Sequence, residues 1–489
     1  MHGRSSRLLV LAATVALIAT ACAGQGGATT APTAAPTTAP AESAAPTAAP
    51  AESGAPSASA EAGVLPASCL NDYKGTEITL LLNQHPWTDG MTPFAKEFED
   101  LTGIKTNVQS FSEDLYFDKM EQTVRAAQGT ADVYFLPMDS TGYSQFGAGA
   151  IEPLTPYLND PNKTSASYDL ADFPNGFLEP GTYPPGDAAA QLYGIPISFE
   201  TYILFYNKDL VDKYLGGKVP ATMDELTAAA QKITDEAGKD GIYGAVMRGI
   251  RSDTIMDTLS GVVFDAWGPD PAPPPYGLWF DGGWDKPRLT DPKIIAGLTN
   301  YAKMVKAGPP NALAIDWPDA NTLFSQGKAA FFIDASLFGP SYEDPNASQV
   351  AGKVGYAVLP PVTAGGPSLT GHWLWGLGIP KNAPHKDAAW CFIQWATSKD
   401  LTARIGASTG GAPRMSAYND PNYTGKLNPA YITTVSEAMK TSRTTVVFRE
   451  NWKDGALAIV DLMLAIEQGQ DPAAAAAKQN DVLKAAVAQ

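Results

Sequence analysis

Residues 78–82 read Ile-Thr-Leu-Leu-Leu, and the polar sequence Asn83-Gln84-His85-Pro86 follows at once. A short apolar run with Gly75 before it and polar residues after it predicts a strand that is buried on both faces. Strands of this kind occur in sheets that are covered by helices, so this run already favours an α/β fold.

The sequence around this run continues the alternation of strands and helices. Further strands are predicted at 104–108, 133–136, 202–206, 329–333, 354–359 and 374–379. Helical spacing of apolar residues predicts helices at 91–101, 117–127, 223–233, 387–397, 429–439 and 454–466. The pattern is typical of a parallel sheet with covering helices, so the predicted fold class is α/β.

The amino-terminal residues have the layout of a secretory signal. Two arginines precede an apolar run at 8–18, and the small residues Ala19-Thr20-Ala21 lead to Cys22. The run is too short to span a bilayer as a mature helix. We therefore predict a signal peptide at 1–21 and lipidation of Cys22, with ordinary secretion and cleavage nearby as the alternative.

The segment that follows Cys22 has a composition unlike the rest of the chain. Residues 22–66 consist largely of Ala, Pro, Thr, Ser and Gly. Such a segment buries too little apolar surface to offset its ordering entropy, so we predict a disordered tether. Two acyl chains on Cys22 would suffice for stable membrane anchoring.

The charge of the chain excludes one class of partner. Lys and Arg together number 34 and Asp and Glu together 51, a net charge of −17 that becomes −19 once Arg4 and Arg7 leave with the signal. An acidic body lacks the basic footprint that nucleic-acid binding requires. The few histidines show no paired spacing, so neither a metal site nor a cofactor is predicted.

Two cysteines remain beside Cys22. In an oxidising compartment Cys69 and Cys391 have the chemistry to form a disulfide. Cys391, however, lies inside a predicted helix between Trp390 and Phe392, which favours core packing instead. Both readings stay open at this point.

Three motifs occur in order through the middle of the chain. They are Leu-Tyr-Gly-Ile-Pro at 192–196, Phe-Tyr-Asn-Lys-Asp-Leu at 205–210 and Pro-Ala-Thr-Met-Asp-Glu-Leu at 220–226. In this order the chain resembles the extracellular solute-binding proteins of ABC importers, in the large sugar-binding group that includes the maltose-binding proteins. The similarity extends over 75–425, and Trp373-Leu374-Trp375 looks closest to a polyol and sugar branch.

The resemblance implies a two-lobed periplasmic-binding-protein fold, type II-like, with a hinge and a ligand cleft between the lobes. By that pattern, 70–196 with 360–400 form one lobe, and 197–359 with 401–489 form the other. The implied protein is a monomeric receptor and not an enzyme. It would sit on the extracytoplasmic face of the membrane, held by its lipid anchor, and deliver a solute to ABC permease subunits.

Ligands of α/β proteins bind beyond the carboxyl ends of the strands, which directs attention to the residues after each predicted strand. Gln84, His85 and Trp87 follow the first strand, and Asp139 follows the third. These residues mix hydrogen-bonding groups with apolar surface, as a sugar or polyol requires. We therefore include them among the candidate ligand contacts.

Glu200 is the carboxylate on which the resemblance places most weight. It matches a crossover segment that carries a ligand-contacting carboxylate in the maltose-binding member, and it lies near the aromatic Tyr202. A carboxylate among apolar residues needs a partner. The partner is either the ligand or the cation of a structural ion pair at the hinge.

The remaining candidates are spread over the second half of the chain. They are Trp267, Asp334, Trp373, Trp375 and Arg414. Trp373 and Trp375 are expected to face opposite sides of their strand, so that at most one lines the cleft. Arg414 would offer a forked donor to vicinal hydroxyls, or else form a surface ion pair. Trp267 would stack on a ligand or be buried. His372, which directly precedes Trp373, is expected to be exposed.

The preferred functional hypothesis is a receptor for a neutral carbohydrate or polyol. A polyamine or another cationic solute is the alternative within binding, because Asp139, Glu200 and Asp334 would pair with positive charge. A secreted carbohydrate-active hydrolase is the alternative from another class, although no hydrolase motif frames any pair of carboxylates.

Overall fold

In the computed structural model, the described residues are 63–270, 275–445 and 447–488. The predicted signal peptide, Cys22 and all but the last residues of the predicted tether lie outside these ranges. Within them, the helices are all too short or too polar to cross a membrane.

The strands alternate with helices along the chain, as the sequence predicts. In the described ranges they are β1 (Glu77–Asn83), β2 (Lys105–Phe111), β3 (Val133–Pro137), β4 (Thr182–Tyr183), β5 (Gln191–Leu192), β6 (Ile195–Asn207), β7 (Tyr243–Val246), β8 (Ala329–Ala335), β9 (Val354–Ala357), β10 (Thr370–Gly378) and β11 (Ser442–Thr444).

In the described ranges, α-helices form before, between and after the strands. They are α1 (Ala67–Asn71), α2 (Pro86–Met91), α3 (Ala95–Thr102), α4 (Glu113–Arg125), α5 (Gly142–Gly147), α6 (Thr155–Leu158), α7 (Asn175–Leu178), α8 (Lys208–Leu215), α9 (Met223–Ala237), α10 (Met256–Trp267), α11 (Pro292–Lys306), α12 (Trp317–Ser325), α13 (Gly339–Tyr342), α14 (Lys386–Ala396), α15 (Lys399–Thr409), α16 (Pro421–Thr424), α17 (Pro429–Thr441), α18 (Trp452–Glu467) and α19 (Pro472–Val487).

Nine of the described strands form one mixed sheet. Its order is β2-β1-β3-β10-β6-β8-β7, with β11 beside β10 and β9 beside β6, while β4 and β5 pair separately. The first three strands are parallel, as predicted, because β1 pairs in parallel with both β2 and β3. Strand β10 runs antiparallel to β3 and β6, and β6 runs antiparallel to β8 and β9, which makes the sheet mixed rather than purely parallel.

Strand β6 changes partners halfway along its length. Its first half pairs with β10 as far as Thr201, which lies opposite His372. From Tyr202, which lies opposite Ala335, it pairs with β8 and then β9. The predicted strand at 202–206 is thus only the second half of a 13-residue strand that joins the two ends of the sheet.

The predicted helix at 91–101 is interrupted in the structure. A short α2 begins at Pro86 under the His85 cap, a 3₁₀ turn runs over Thr92–Phe94, and α3 begins at Ala95. Pro93 lies in the turn, and because it has no backbone N–H it cannot extend the preceding helix. The predicted end of the helix is confirmed, since Gly103 adopts a left-handed conformation with φ of 74°.

A disulfide joins Cys69 in α1 to Cys391 in α14, with 5.6 Å between their Cα atoms. Both cysteines are also buried, at 1% exposure each. The two cysteines are therefore both packed in the core and cross-linked. The expectation that core packing would take the place of a disulfide was wrong. The apolar neighbours Trp390 and Phe392 surround a bond rather than a free thiol.

Candidate functional site

A cavity of about 510 Å³ opens where several strands end and several helices begin. The loop after β1 and the residues after β3, β7 and β8 contribute one part of its wall. The amino-terminal turns of α4, α10, α12 and α18 contribute a second part, through Glu113, Asp257, Trp317 and Trp452, and residues of β6, β10 and the segment 445–450 complete it. This placement agrees with the rule that ligands bind beyond the carboxyl ends of strands.

The structure places six of the eleven candidate ligand residues on this wall. They are Gln84, His85, Asp139, Glu200, Trp373 and Trp375. The other five belong to the described residues but not to the wall, and they are Trp87, Tyr202, Trp267, Asp334 and Arg414.

Three of these five are aromatic residues that pack inside the protein. Trp87 is buried against the Phe135 ring. Tyr202 is fully buried where Gly261 and Gly371 leave room for its ring. Trp267 is covered by the side chains of Arg288 and Lys293. The expected ligand contacts at these positions are replaced by core packing.

Arg414 is neither a ligand donor nor a surface residue. It is fully buried, and its guanidinium donates to the backbone carbonyl groups of Thr397, Tyr168 and Asp169. It also pairs with Asp172 at 3.3 Å. The forked donor that the sequence suggested for vicinal hydroxyls is instead satisfied by backbone oxygens.

Trp373 and Trp375 lie on the same side of β10, and both line the cavity. The expectation that they face opposite sides was wrong, because residues two positions apart on a strand share a face. Their rings contact each other edge to face, with 5.8 Å between centroids. His372, which precedes Trp373, is not part of the wall and is buried rather than exposed, with its Nδ1 bonded to Ser442.

Glu200 and His85 form a hydrogen-bonded pair on the wall. His85 Nε2 lies 3.1 Å from Glu200 Oε1. The backbone N–H of Trp87 donates to His85 Nδ1, so the neutral imidazole carries its proton on Nε2 and donates it to Glu200. Burial lowers the pKa of His85 to about 4, which keeps the ring in this neutral form.

Burial has the largest effect on the pKa values of Glu200 and Asp139, the two cavity carboxyl groups that the sequence predicted. It raises the pKa of Glu200 to about 8, despite the nearby Arg248. It raises the pKa of Asp139 to about 7, although this group accepts hydrogen bonds from the Leu374 backbone and the Thr444 hydroxyl. A fixed negative charge is therefore disfavoured at both positions near neutral pH.

Arg248 is a wall residue that the sequence reasoning missed. Its guanidinium donates to both oxygens of Asp334, at 2.9 Å and 2.5 Å. It also donates to Asp257 at 3.1 Å and to the Thr254 carbonyl at 2.8 Å. Asp334, which was expected to contact ligand directly, instead lies behind Arg248 and is fully buried.

Glu113 and Trp317 meet across the cavity wall. The indole N–H of Trp317 donates to the Glu113 carboxylate at 3.0 Å. Trp317 also stacks on Phe338, with 5.8 Å between ring centroids and 12° between ring planes. Like Asp257, both residues lie in the first turn of a helix, so a search of helix starts as well as strand ends could have found them.

Several residues of the wall carry a buried polar atom that has no hydrogen-bond partner among the described residues. They are Asn83 Oδ1, Ser140 Oγ and Trp373 Nε1. Buried polar groups are normally paired, and an unpaired one costs free energy. These atoms offer an acceptor, a hydroxyl and a donor beside aromatic rings, which suits a ligand with both hydroxyls and C–H faces.

The residues that the structure describes contain no cluster of His, Cys, Asp or Glu with the geometry to hold a metal ion.

The chain is similar to several binding proteins. It is 29% identical over 335 residues to an erythritol/L-threitol-binding protein of Mycolicibacterium smegmatis, covering 67% of each chain. It is 31% identical over 245 residues to a mannitol-binding protein of Pseudomonas aeruginosa, covering 46% of this chain and 52% of that one.

The structure is similar to a solute-binding protein of an ABC transporter from Agrobacterium radiobacter, solved in complex with ribitol. The TM-score is 0.70 at 25% identity, covering 84% of this chain and 99% of that one. These relatives are binding proteins, which confirms the predictions of an α/β two-lobed fold and of a protein that is not an enzyme. Residues 85–403 match the family of bacterial extracellular solute-binding proteins, and the chain belongs to that family.

Proposed function

We propose that this chain binds a small polyol or sugar in the cavity and delivers it to the permease of an ABC importer. One observation carries the proposal: the unpaired atoms of Asn83, Ser140 and Trp373 lie on the same wall as the paired rings of Trp373 and Trp375. Hydroxyl groups of the ligand would pair with the unpaired polar atoms, and the C–H face of the ligand would stack on the tryptophan rings. Relatives named for erythritol, mannitol and ribitol support this ligand class.

The carboxyl groups favour a neutral ligand over the polyamine alternative. Glu200 and Asp139 have raised pKa values, so at neutral pH they serve as hydrogen-bonding acids more readily than as counter-ions.

The cavity walls belong to two sets of residues that we assign to separate lobes. One lobe comprises 70–196 and 360–400, and the other comprises 197–359 and 401–489. The partner change of β6 between Thr201 and Tyr202 supports a hinge at this strand. Closure around the ligand would be the signal that the permease senses.

The location of the protein follows from the amino-terminal sequence. We propose that residues 1–21 are removed, that Cys22 is lipidated, and that the protein acts as an anchored monomer on the extracytoplasmic side of the membrane. The segment 22–66 would then act as a tether between the anchor and the binding body.

Calorimetric titration with erythritol, ribitol, mannitol, tagatose, maltose and spermidine tests the proposed ligand class. We expect one or more of the neutral compounds to bind and to be recovered intact. Trp373→Phe keeps the ring but removes the N–H donor, so it should weaken binding about five- to tenfold, the usual worth of one hydrogen bond.

Trp267→Phe is the matched control, because Trp267 lies away from the wall and should leave affinity unchanged. Binding of spermidine alone would replace the polyol proposal with the cationic one. Recovery of a cleaved sugar would show that the protein is a hydrolase.

A further inference from the structure

Arg248 is the buried cation of the described cavity wall, with only 4% of its surface exposed. The other two basic residues on the wall are occupied elsewhere. Arg449 donates to the Val487 carbonyl and lies over the Trp284 ring. Lys453 is 74% exposed at its side chain and lies near Asp253. Arg248 is therefore the counter-charge that an acidic group enclosed by the described wall would meet.

Arg248 has little capacity left for such a group. A guanidinium has five N–H donors. Two bond the oxygens of Asp334, one bonds Asp257 and one bonds the Thr254 carbonyl. Asp334 has no exposed surface and Asp257 has 16% of its side chain exposed, so water weakens neither interaction much.

The rest of the wall would also disfavour an anion. Glu113 and Glu200 line the same cavity as Arg248, and neither brings a positive charge to it. A desolvated ligand carboxylate beside them would need an unpaired cation to offset its lost hydration. Asp257 and Asp334 already face Arg248, the buried cation of the described wall.

We propose that Asp257 and Asp334 are specificity-determining residues that neutralise Arg248, so that the cavity accepts neutral polyhydroxylated ligands and rejects their carboxylate-bearing relatives. The inference rests on the proposed function, because it concerns the ligand of the same cavity. It adds a criterion of selectivity that depends on the charge of the ligand and not on its size, since a sugar acid and its polyol have the same carbon chain.

Paired titrations with ribitol and ribonate, and with mannitol and mannonate, test this inference. We expect the natural chain to bind the preferred polyol at least about 100-fold more tightly than the matching acid. Asp257→Asn leaves an amide oxygen for Arg248 but removes one of the two carboxyl groups that face its guanidinium. It should therefore narrow the ratio of the two dissociation constants at least about tenfold by improving the binding of the acid.

Asp334→Asn should narrow the ratio in the same direction, and it provides a second measurement at the other carboxylate. Asp265→Asn is the matched control, because Asp265 is a buried carboxyl group outside the wall. Thermal unfolding of each variant confirms that it is folded before titration. A purely structural role for the aspartates would weaken both ligands and leave the ratio unchanged.

Equal binding of the polyol and the acid by the natural chain would overturn the inference and leave the proposed function standing. An unchanged ratio in both folded variants would overturn it as well. Failure of all four compounds and of the wider sugar panel to bind would reject the proposed function and this inference together.

Discussion

Single residues on the cavity wall combine burial with ionisable chemistry. His85 and Glu200 are hydrogen-bonded to each other at 3.1 Å, and both are almost wholly enclosed. Burial pushes their pKa values in opposite directions, because it disfavours the charged form of an acid and of a base alike. The pair is therefore neutral at pH 7, which gives the site directional hydrogen bonds without a fixed charge.

The raised pKa of Glu200 makes the stability of the protein depend on pH. The folded protein holds this proton up to about pH 8, whereas the unfolded chain releases it near 4.5. Stability contributed by the protonated form is thus complete below the lower value and is lost as the pH rises toward the higher one. Glu200→Gln should remove this loss, which amounts to at most about 1.4 kcal/mol for each pH unit in that window.

Urea unfolding at pH 5, 6.5 and 8 measures the effect. The variant should become more stable relative to the natural chain as the pH rises. Glu77→Gln, at an exposed glutamate, is the control and should follow the natural chain. Parallel stability profiles for Glu200→Gln and the natural chain would contradict a protonated Glu200.

The sequence predicted wall residues correctly where a local rule applied. The prediction failed where the position of a side chain depends on partners that are distant in the chain. Gln84, His85 and Asp139 lie on the wall because each follows a strand. Asp334 and Arg414 are also polar, but each has a partner more than 80 residues away in the chain, Arg248 and Tyr168 respectively. No local pattern shows that these two side chains are already paired inside the protein.

At the scale of elements, β6 connects the fold to the site. Its apolar sequence predicted a strand, but only the part after Glu200, because Pro196 and the polar residues 198, 200 and 201 broke the expected pattern. In the structure those polar residues face the middle of the sheet and the cavity, where hydrogen bonds such as that from His85 satisfy them. Buried polar residues within a strand thus indicate where the site lies.

The Gly410-Gly411 turn packs directly against β6. The Phe199 N–H donates to the Gly411 carbonyl at 2.8 Å, and a Cβ added to Gly411 would lie 2.0 Å from the Phe199 carbonyl oxygen. Gly411→Ala should therefore displace the backbone beside Glu200 and lower the free energy of unfolding by about 1–3 kcal/mol, as overpacking does elsewhere.

Urea unfolding compares this variant with Gly176→Ala, the control, since a Cβ at Gly176 meets nothing within 4 Å. Gly176 lies in α7, where alanine should leave stability unchanged or slightly higher. Equal stability of the two variants would show that the turn yields freely and does not hold β6 in place.

At the scale of the whole molecule, the sheet order could not be read from the sequence. β10 comes late in the chain but lies between β3 and β6 at the centre of the sheet. Alternation of strands and helices predicts the class of fold, yet the pairing of strands more than 160 residues apart has no local signal. The family resemblance supplied what periodicity could not.

The proposed anchor has a consequence for the whole molecule. Cys22→Ser removes the site of acylation, so the protein should appear in the medium or in the soluble extracytoplasmic fraction instead of the membrane fraction. Fractionation followed by immunoblotting measures this change. The released protein should bind its ligand with unchanged affinity, because the cavity lies wholly within residues 83–456.

Cys391→Ser is the control, since it removes a cysteine from the body and leaves the proposed anchor intact. That variant should stay with the membrane fraction. Retention of Cys22→Ser in the membrane would contradict the proposed anchor.

The disulfide between Cys69 and Cys391 also decides how the protein carries mechanical load. The bond joins the first described helix to α14, whose Trp390 and Phe392 are buried in the core. Tension applied from the amino-terminal side of Cys69 passes through a covalent bond into α14, and it cannot peel β1 away from β2 and β3 residue by residue. Because β1 leads directly to His85 and the cavity, this path shields the binding site from any pull on the chain.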